Sequence, residues 1–211
     1  YHGHHEDDIK VVNRFIENCK NGKIIIQDTL DVAITNLGPM INTQWEEVAP
    51  VLSADETKLI FTSRRPTGDS SVTDHNARFI EQTYISNKME DGKWSQPKNV
   101  HFLSEPDQHE SAVSISPDGN RLIVYKNNNH GTGDLYFSEL DGDKWGALNR
   151  FSNGINSKHY ESSASISPDE QTLYFSSSRP AGVGGSDLYI AHKDSLGEWG
   201  DPSNIGSVLN T

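Results

Sequence analysis

The chain has a single cysteine, Cys19, so no internal disulfide can brace it. It has no run of about 18 apolar residues, so it offers no helical membrane span. Positive charge is scarce: 18 Lys and Arg face 30 Asp and Glu, for a net charge of -12. Nucleic acid and anionic membrane surfaces are therefore poor partners. Several catalytic signatures are missing: a Gly-x-Ser-x-Gly elbow, a phosphate-cradling glycine loop with Lys, and a His-Glu-x-x-His pair. The sequence opens on Tyr1 rather than Met, so the natural start, with any signal peptide, is expected upstream.

What the chain does have is turn chemistry. Its 211 residues include 17 Gly and 9 Pro, which suits an all-β chain with many turns. Three segments align without gaps: "EVAPVLSADETKLIF" (47–61), "ESAVSISPDGNRLIV" (110–124) and "ESSASISPDEQTLYF" (161–175). Each opens on Glu, places Asp55, Asp118 or Asp169 in a turn, and follows it with Leu59, Leu122 or Leu173. In Ser116-Pro117-Asp118-Gly119 the Pro pre-sets φ, the Asp can accept from the backbone ahead, and the Gly takes positive φ. Glu56 and Glu170 stand where that Gly stands, so their turns must manage without it. Downstream, Tyr84, Tyr136 and Tyr189 lie in short apolar runs, and Trp94, Trp145 and Trp199 follow after a second turn. A repeat of about fifty residues with four strand signals marks a β-propeller blade.

The fold class expected is therefore all-β, a propeller of four-stranded antiparallel blades preceded by one short α-helix. Small residues at Ala49, Ala112 and Ser163 suit a strand near a crowded axis. The runs "LIF", "LIV" and "LYF" are apolar on both faces, as a sheet packed between two others requires. The tryptophans read as packing between blades. The expected domains are a helix over 1–22, a linker and leading strand over 23–38, and blades over 39–100, 101–150 and 151–211. "NLGPMINT" (36–43) recurs as "NIGSVLNT" (204–211) and more loosely as "RFSNGINS" (150–157), so a further copy is expected beyond residue 211. Rings need about four to eight blades, and six are expected in the full one. In the helix, Ile9, Val12, Ile16 and Cys19 share an apolar face and Asn21-Gly22 reads as its end. Cys19 is expected to be a buried spacer.

"SPDG…LIVY…GDLYFS" and "SPDE…LYFSSSRP…GGSDLYIA" resemble the WD-repeat-like blades of TolB-type propellers. The stretches "INTQWEEVAPVLSADETKLIFTSRRP" and "GEWGDPSNIGSVLNT" are similar to large periplasmic proteins of the Bacteroidetes, and "ENCKNGK" looks like the tail of a tetratricopeptide region. Those proteins combine a tetratricopeptide region, a propeller and an OmpA-like domain, and some serve type IX secretion and gliding. The resemblance implies a non-enzymatic interaction scaffold, periplasmic and outer-membrane-associated, with other envelope or secretion-machine proteins as partners. Peptidoglycan contact would run only through an OmpA-like domain, which these residues do not include. No cofactor or metal is implied.

Most polar motifs have a structural explanation. "HGHH" (2–5) reads as an exposed terminus, and His75, His101, His109, His130, His159 and His192 lack ligand spacing. "DGD" (141–143) lacks the acids of a calcium loop and reads as a hairpin turn. "GVGGSD" (182–187) misses the dinucleotide pattern and reads as a loop. One constellation repeats. Glu47, Glu110 and Glu161 open the innermost strands, and Arg65 and Arg179 close the partner strands, with Lys126 and Asn128 in the middle copy. The hairpins bring these ends to one rim, beside the loops 66–82, 127–133 and 180–186. The first expectation is a Glu–Arg pair pinning strands; the second is a partner-binding rim. A hydrolase using these carboxylates, or a glycan-binding propeller, is the alternative function.

Overall fold

A computed structural model describes residues 3–27, 31–66, 73, 76–100, 109–128, 132–152 and 154–210. The chain divides into two units, Tyr1–Asn36 and Leu37–Thr211.

The first unit contains α1 (Gly3–Ile25), which runs past Asn21-Gly22. Lys23 in its last turn complements the helix dipole, and a mid-helix glycine costs only about 1 kcal/mol. The strand expected from Lys23 onward is not seen: 23–25 are helical and 31–36 are irregular. A strand needs a neighbour to bond, and the described residues of this unit supply none. Ile9, Val12 and Ile16 are exposed, and Cys19 is exposed rather than buried.

The second unit is a succession of three antiparallel sheets. The first contains β1 (Glu47–Leu52), β2 (Lys58–Ser63), β3 (Gln82–Asn87) and β4 (Lys98–Asn99). The second contains β5 (Glu110–Ile115), β6 (Arg121–Asn127) and β7 (Gly133–Asp141), with its outer strand split into β8 (Lys144–Trp145) and β9 (Asn149–Arg150). The third contains β10 (Glu161–Ile166), β11 (Thr172–Ser177), β12 (Asp187–His192) and β13 (Ser203–Asn204). Strand order in each follows chain order, as consecutive hairpins dictate.

One side-chain device makes all three inner turns. Ser53 Oγ donates to Asp55 Oδ1 at 2.6 Å, and the same oxygen accepts from Thr57 N at 3.0 Å. Ser53 Oγ in turn accepts from Lys58 N at 2.9 Å. Ser116–Asp118 and Ser167–Asp169 repeat the pattern. These bonds, led by the Ser53 hydroxyl, pull the Asp55 carboxyl down to about 2. Glu56 (φ 57) and Glu170 (φ 55) adopt the left-handed conformation that Gly119 (φ 73) takes without strain.

The core lies between sheets rather than within a two-layer sandwich. Ile60 of the first sheet packs with Ala112, Leu122 and Val124 of the second. Ile123 of the second packs with Ala164, Ile166, Leu173 and Phe175 of the third. Leu122, Ile123 and Val124 are all fully buried, so the middle sheet covers both its faces with neighbours. Each such side chain contributes about 1.5–3 kcal/mol. The inner strand β5 touches β1, and β10 touches β5. Successive sheets packed face to face with adjacent inner strands are the propeller arrangement.

Two details differ from the expectation. Tyr174, at the position of Ile60 and Ile123, is 47% exposed because no described sheet covers that face. Of the three small residues, only Ala112 is buried; Ala49 (φ 50) and Ser163 are exposed at irregularities in strand register.

Candidate partner-binding rim

Glu161 and Arg179 form a closed lock. Glu161 is fully buried and accepts from Ser157 N at 2.9 Å, Ser157 Oγ at 2.7 Å and Ser177 Oγ at 2.6 Å. Arg179 NH2 stands 3.5 Å from its carboxylate. The guanidinium also donates to Ser177 Oγ, Gly154 O and Ile155 O, and lies over the Phe175 and Tyr189 rings at 5.2 and 4.9 Å.

Glu47 and Arg65 repeat this. Thr43 N and Oγ1 donate to Glu47 at 3.0 and 2.6 Å, Ser63 Oγ at 3.1 Å and Arg65 NH2 at 3.2 Å. Arg65 caps the Ile41 carbonyl at 2.8 Å and lies over Phe61 and Tyr84. Burial pushes the Glu47 carboxyl upward, but the Thr43, Ser63 and Arg65 contacts outweigh it and hold the group below its usual range. The Glu–Arg pairs foreseen from sequence are thus present in two copies.

The middle copy is built differently. Glu110 is opposite Lys126 in register, where its counterparts face Ser63 and Ser177. Asn128 stands where the arginines stand, and Pro106, outside the described residues, stands where Thr43 and Ser157 stand. Glu110 is 5% exposed, and among the described residues its Oε1 has no hydrogen-bond partner. Burial pushes its carboxyl up to about 7, against the pull of Lys126. On β7 Asp134 pairs with Arg150 Nε at 3.0 Å and leaves its Oδ1 without a partner among the described residues. The rim residues Glu47, Glu110, Glu161, Arg65, Arg179 and Lys126 therefore lie at equivalent strand ends, but they are not one chemical cluster.

Two anchoring groups escaped the sequence reading. Asn156, 1% exposed, accepts from Leu135 N and donates to Leu135 O, both at 2.8 Å, and donates to Phe151 O at 3.2 Å. Asn210 does the same for Leu188. The recurring "INS" and "LNT" ends are the visible signal of this latch. Asp187 draws in the 180–186 loop by accepting from the backbone of Val183 and Gly184, and from Asn204. A Cβ on Gly182 would run into the Asp187 carboxylate, which the loop amides hold in place, and this explains the glycine.

"DGD" makes the β7–β8 hairpin, with Gly142 at φ 59. Trp145 and Trp199 pack at the two inter-sheet seams, and Trp94 packs on the Phe61 face of the first sheet. No group of three metal-ligating side chains occurs among the described residues. The side chains of "HGHH", together with His75, His101 and His130 and parts of the 66–82 and 127–133 loops, lie outside the described residues.

No family profile matches the chain, and no curated protein matches it in sequence. Solved structures do. TolB from Acinetobacter baumannii is similar over 74% of this chain and 31% of its own, at 18% identity and a TM-score of 0.47. A prolyl endopeptidase is similar over 78% of this chain and 20% of its own, at 14% identity and a TM-score of 0.48. The periplasmic gluconolactonase PpgL of Pseudomonas aeruginosa is similar over 68% and 38%, at 15% identity and a TM-score of 0.42. The chain thus spans well under half the length of each.

Proposed function

We propose that this chain is a non-enzymatic protein-interaction scaffold of the bacterial envelope, periplasmic and associated with the outer membrane, in a type IX secretion or gliding machine. The observation that carries the non-enzymatic reading is the rim chemistry: Glu47 and Glu161 are consumed in locks with Arg65 and Arg179, in the first and third sheets. A carboxylate recurring once per repeat and saturated by hydroxyls serves architecture, whereas a glycosidase needs two free carboxyls about 5–10 Å apart. Among the described residues no helix is long and apolar enough to cross a membrane. The sequence resemblance supports the envelope location and the partner class. The test pairs affinity capture from envelope extract with turnover assays on polysaccharide and peptide panels. Capture of secretion-machine proteins, lost on Lys126→Glu, with no turnover supports the scaffold. Turnover by the purified chain overturns it.

A second reading rests on Glu110. A buried carboxyl held near 7 is what a general acid requires. Under that reading the chain is a hydrolase domain, and Glu110→Gln abolishes a measurable turnover while the wild type shows one.

A further inference from the structure

Two equivalent clefts open at the outer ends of the two inter-sheet seams, and they differ in charge. The second, about 400 Å³, is bordered by Arg121, Arg150, Lys193, Glu139, Glu198 and Trp199. Both its arginines are ion-paired. Arg121 pairs with Glu139 at 2.7 Å and with Glu170 of the next turn, Arg150 pairs with Asp134 at 3.0 Å, and Lys193 lies over the Trp199 ring at 5.1 Å.

The first cleft, about 720 Å³, has lost those acids one by one. Lys58 takes the place of Arg121, and its cross-strand neighbour is Asn87 where Arg121 has Glu139. The next turn offers Gly119 in place of Glu170, so among the described residues Lys58 Nζ donates to the Gly119 carbonyl, at 3.2 Å, with Asp55 of its own turn as an electrostatic neighbour. Lys144 precedes Trp145 where Glu198 precedes Trp199. Lys98 adds a third ammonium, and one acid, Asp143, lies on the wall. Neither Lys98 nor Lys144 has an ion-pair partner among the described residues. Three lysines held around one cleft, in a chain of net charge -12, form a local positive site inside a repulsive field.

We infer that this first cleft binds a carboxylate-bearing saccharide, a uronic-acid-containing glycan. The Trp145 indole and the aliphatic floor of Val100 and Leu140 suit the C–H face of a sugar ring. The Asn87 side-chain amide can donate to and accept from ring hydroxyls. The lysines receive the carboxylate. The surrounding negative charge disfavours a densely charged polyanion such as nucleic acid. Peptide addition is disfavoured because the neighbouring edge strand β4 is only two residues long.

The test is calorimetric titration of the chain with trigalacturonate, its methyl-esterified form and an acidic hexapeptide. Trigalacturonate is expected to bind at submillimolar concentration, at least tenfold more tightly than the ester, and to weaken as salt rises. Lys98→Gln with Lys144→Gln should weaken it at least tenfold at an unchanged melting temperature, because both side chains are exposed. Trp145→Ala should also weaken it. If that variant melts early, the lysine pair alone decides. No binding at about 1 mM, binding that ignores the lysine substitutions, or a preference for the hexapeptide each overturns the inference.

Discussion

At Arg179 one guanidinium serves a buried carboxylate, a serine, two carbonyls and two aromatic rings. Arg179→Ala would leave the fully buried Glu161 without its ion-pair partner, so urea unfolding should show a loss of about 3 kcal/mol or more. Arg65→Ala should cost less, since 12% of the Glu47 side chain reaches solvent. Glu110 presents the opposite situation. Its folded value of about 7 lies above that of an unfolded glutamate. The folded state therefore holds a proton that the unfolded state has already released. Stability from this group is present at acid pH and drains away as pH rises toward 7. Glu110→Gln removes the penalty. Its unfolding free energy should match the wild type near pH 4 and exceed it at pH 8, by a margin on the order of 3 kcal/mol. Equal pH profiles for the two proteins would refute the assignment.

At the scale of the element, turns and latches divide the work. Glu56 holds φ 57 without the freedom of glycine and makes only a 3.8 Å ion pair with Lys88. Glu56→Gly should raise stability by about 0.5–1 kcal/mol in thermal melts. Asn156→Ala should lower it by roughly 1–3 kcal/mol, because it strands the buried Leu135 amide, while the Leu135 carbonyl keeps the Phe151 N–H. The turns were legible in sequence because Ser, Asp and the following backbone lie within five residues of one another. The latch was legible only as a recurring Asn, because its partner lies 21 residues away and only packing reveals it. The same limit hid the isolation of Glu110. Lys126 and Asn128 announced a changed environment, but burial belongs to the assembled sheets. The end of α1 was misplaced because Asn-Gly is a weak stop when the residues after it still favour the helix.

At the scale of the molecule, the same repeat position has different meanings in different sheets. Ile123 is fully buried between two sheets, while Tyr174 is 47% exposed. Ile123→Asp should abolish cooperative unfolding by burying an unpaired charge, whereas Tyr174→Asp should shift the melting temperature little; circular dichroism melts separate the two. Comparable losses would mean that the sheets are not stabilised chiefly by their neighbours. The repeat fixed this layered order from sequence, while the charge difference between the two clefts emerged only once strand register aligned Asn87 with Glu139 and Gly119 with Glu170.

The asparagine latch also orders events in time. Leu135 and Leu188 receive their amide partners from residues made 21 and 22 positions later. During translation the outer strand closes over β7 first, and the Leu135 amide waits for its side-chain partner until Asn156 has been made. A chain cut short just before Asn156 would therefore keep its outer strand yet carry one unbonded buried amide at Leu135, a single defect at the seam where the third sheet must dock.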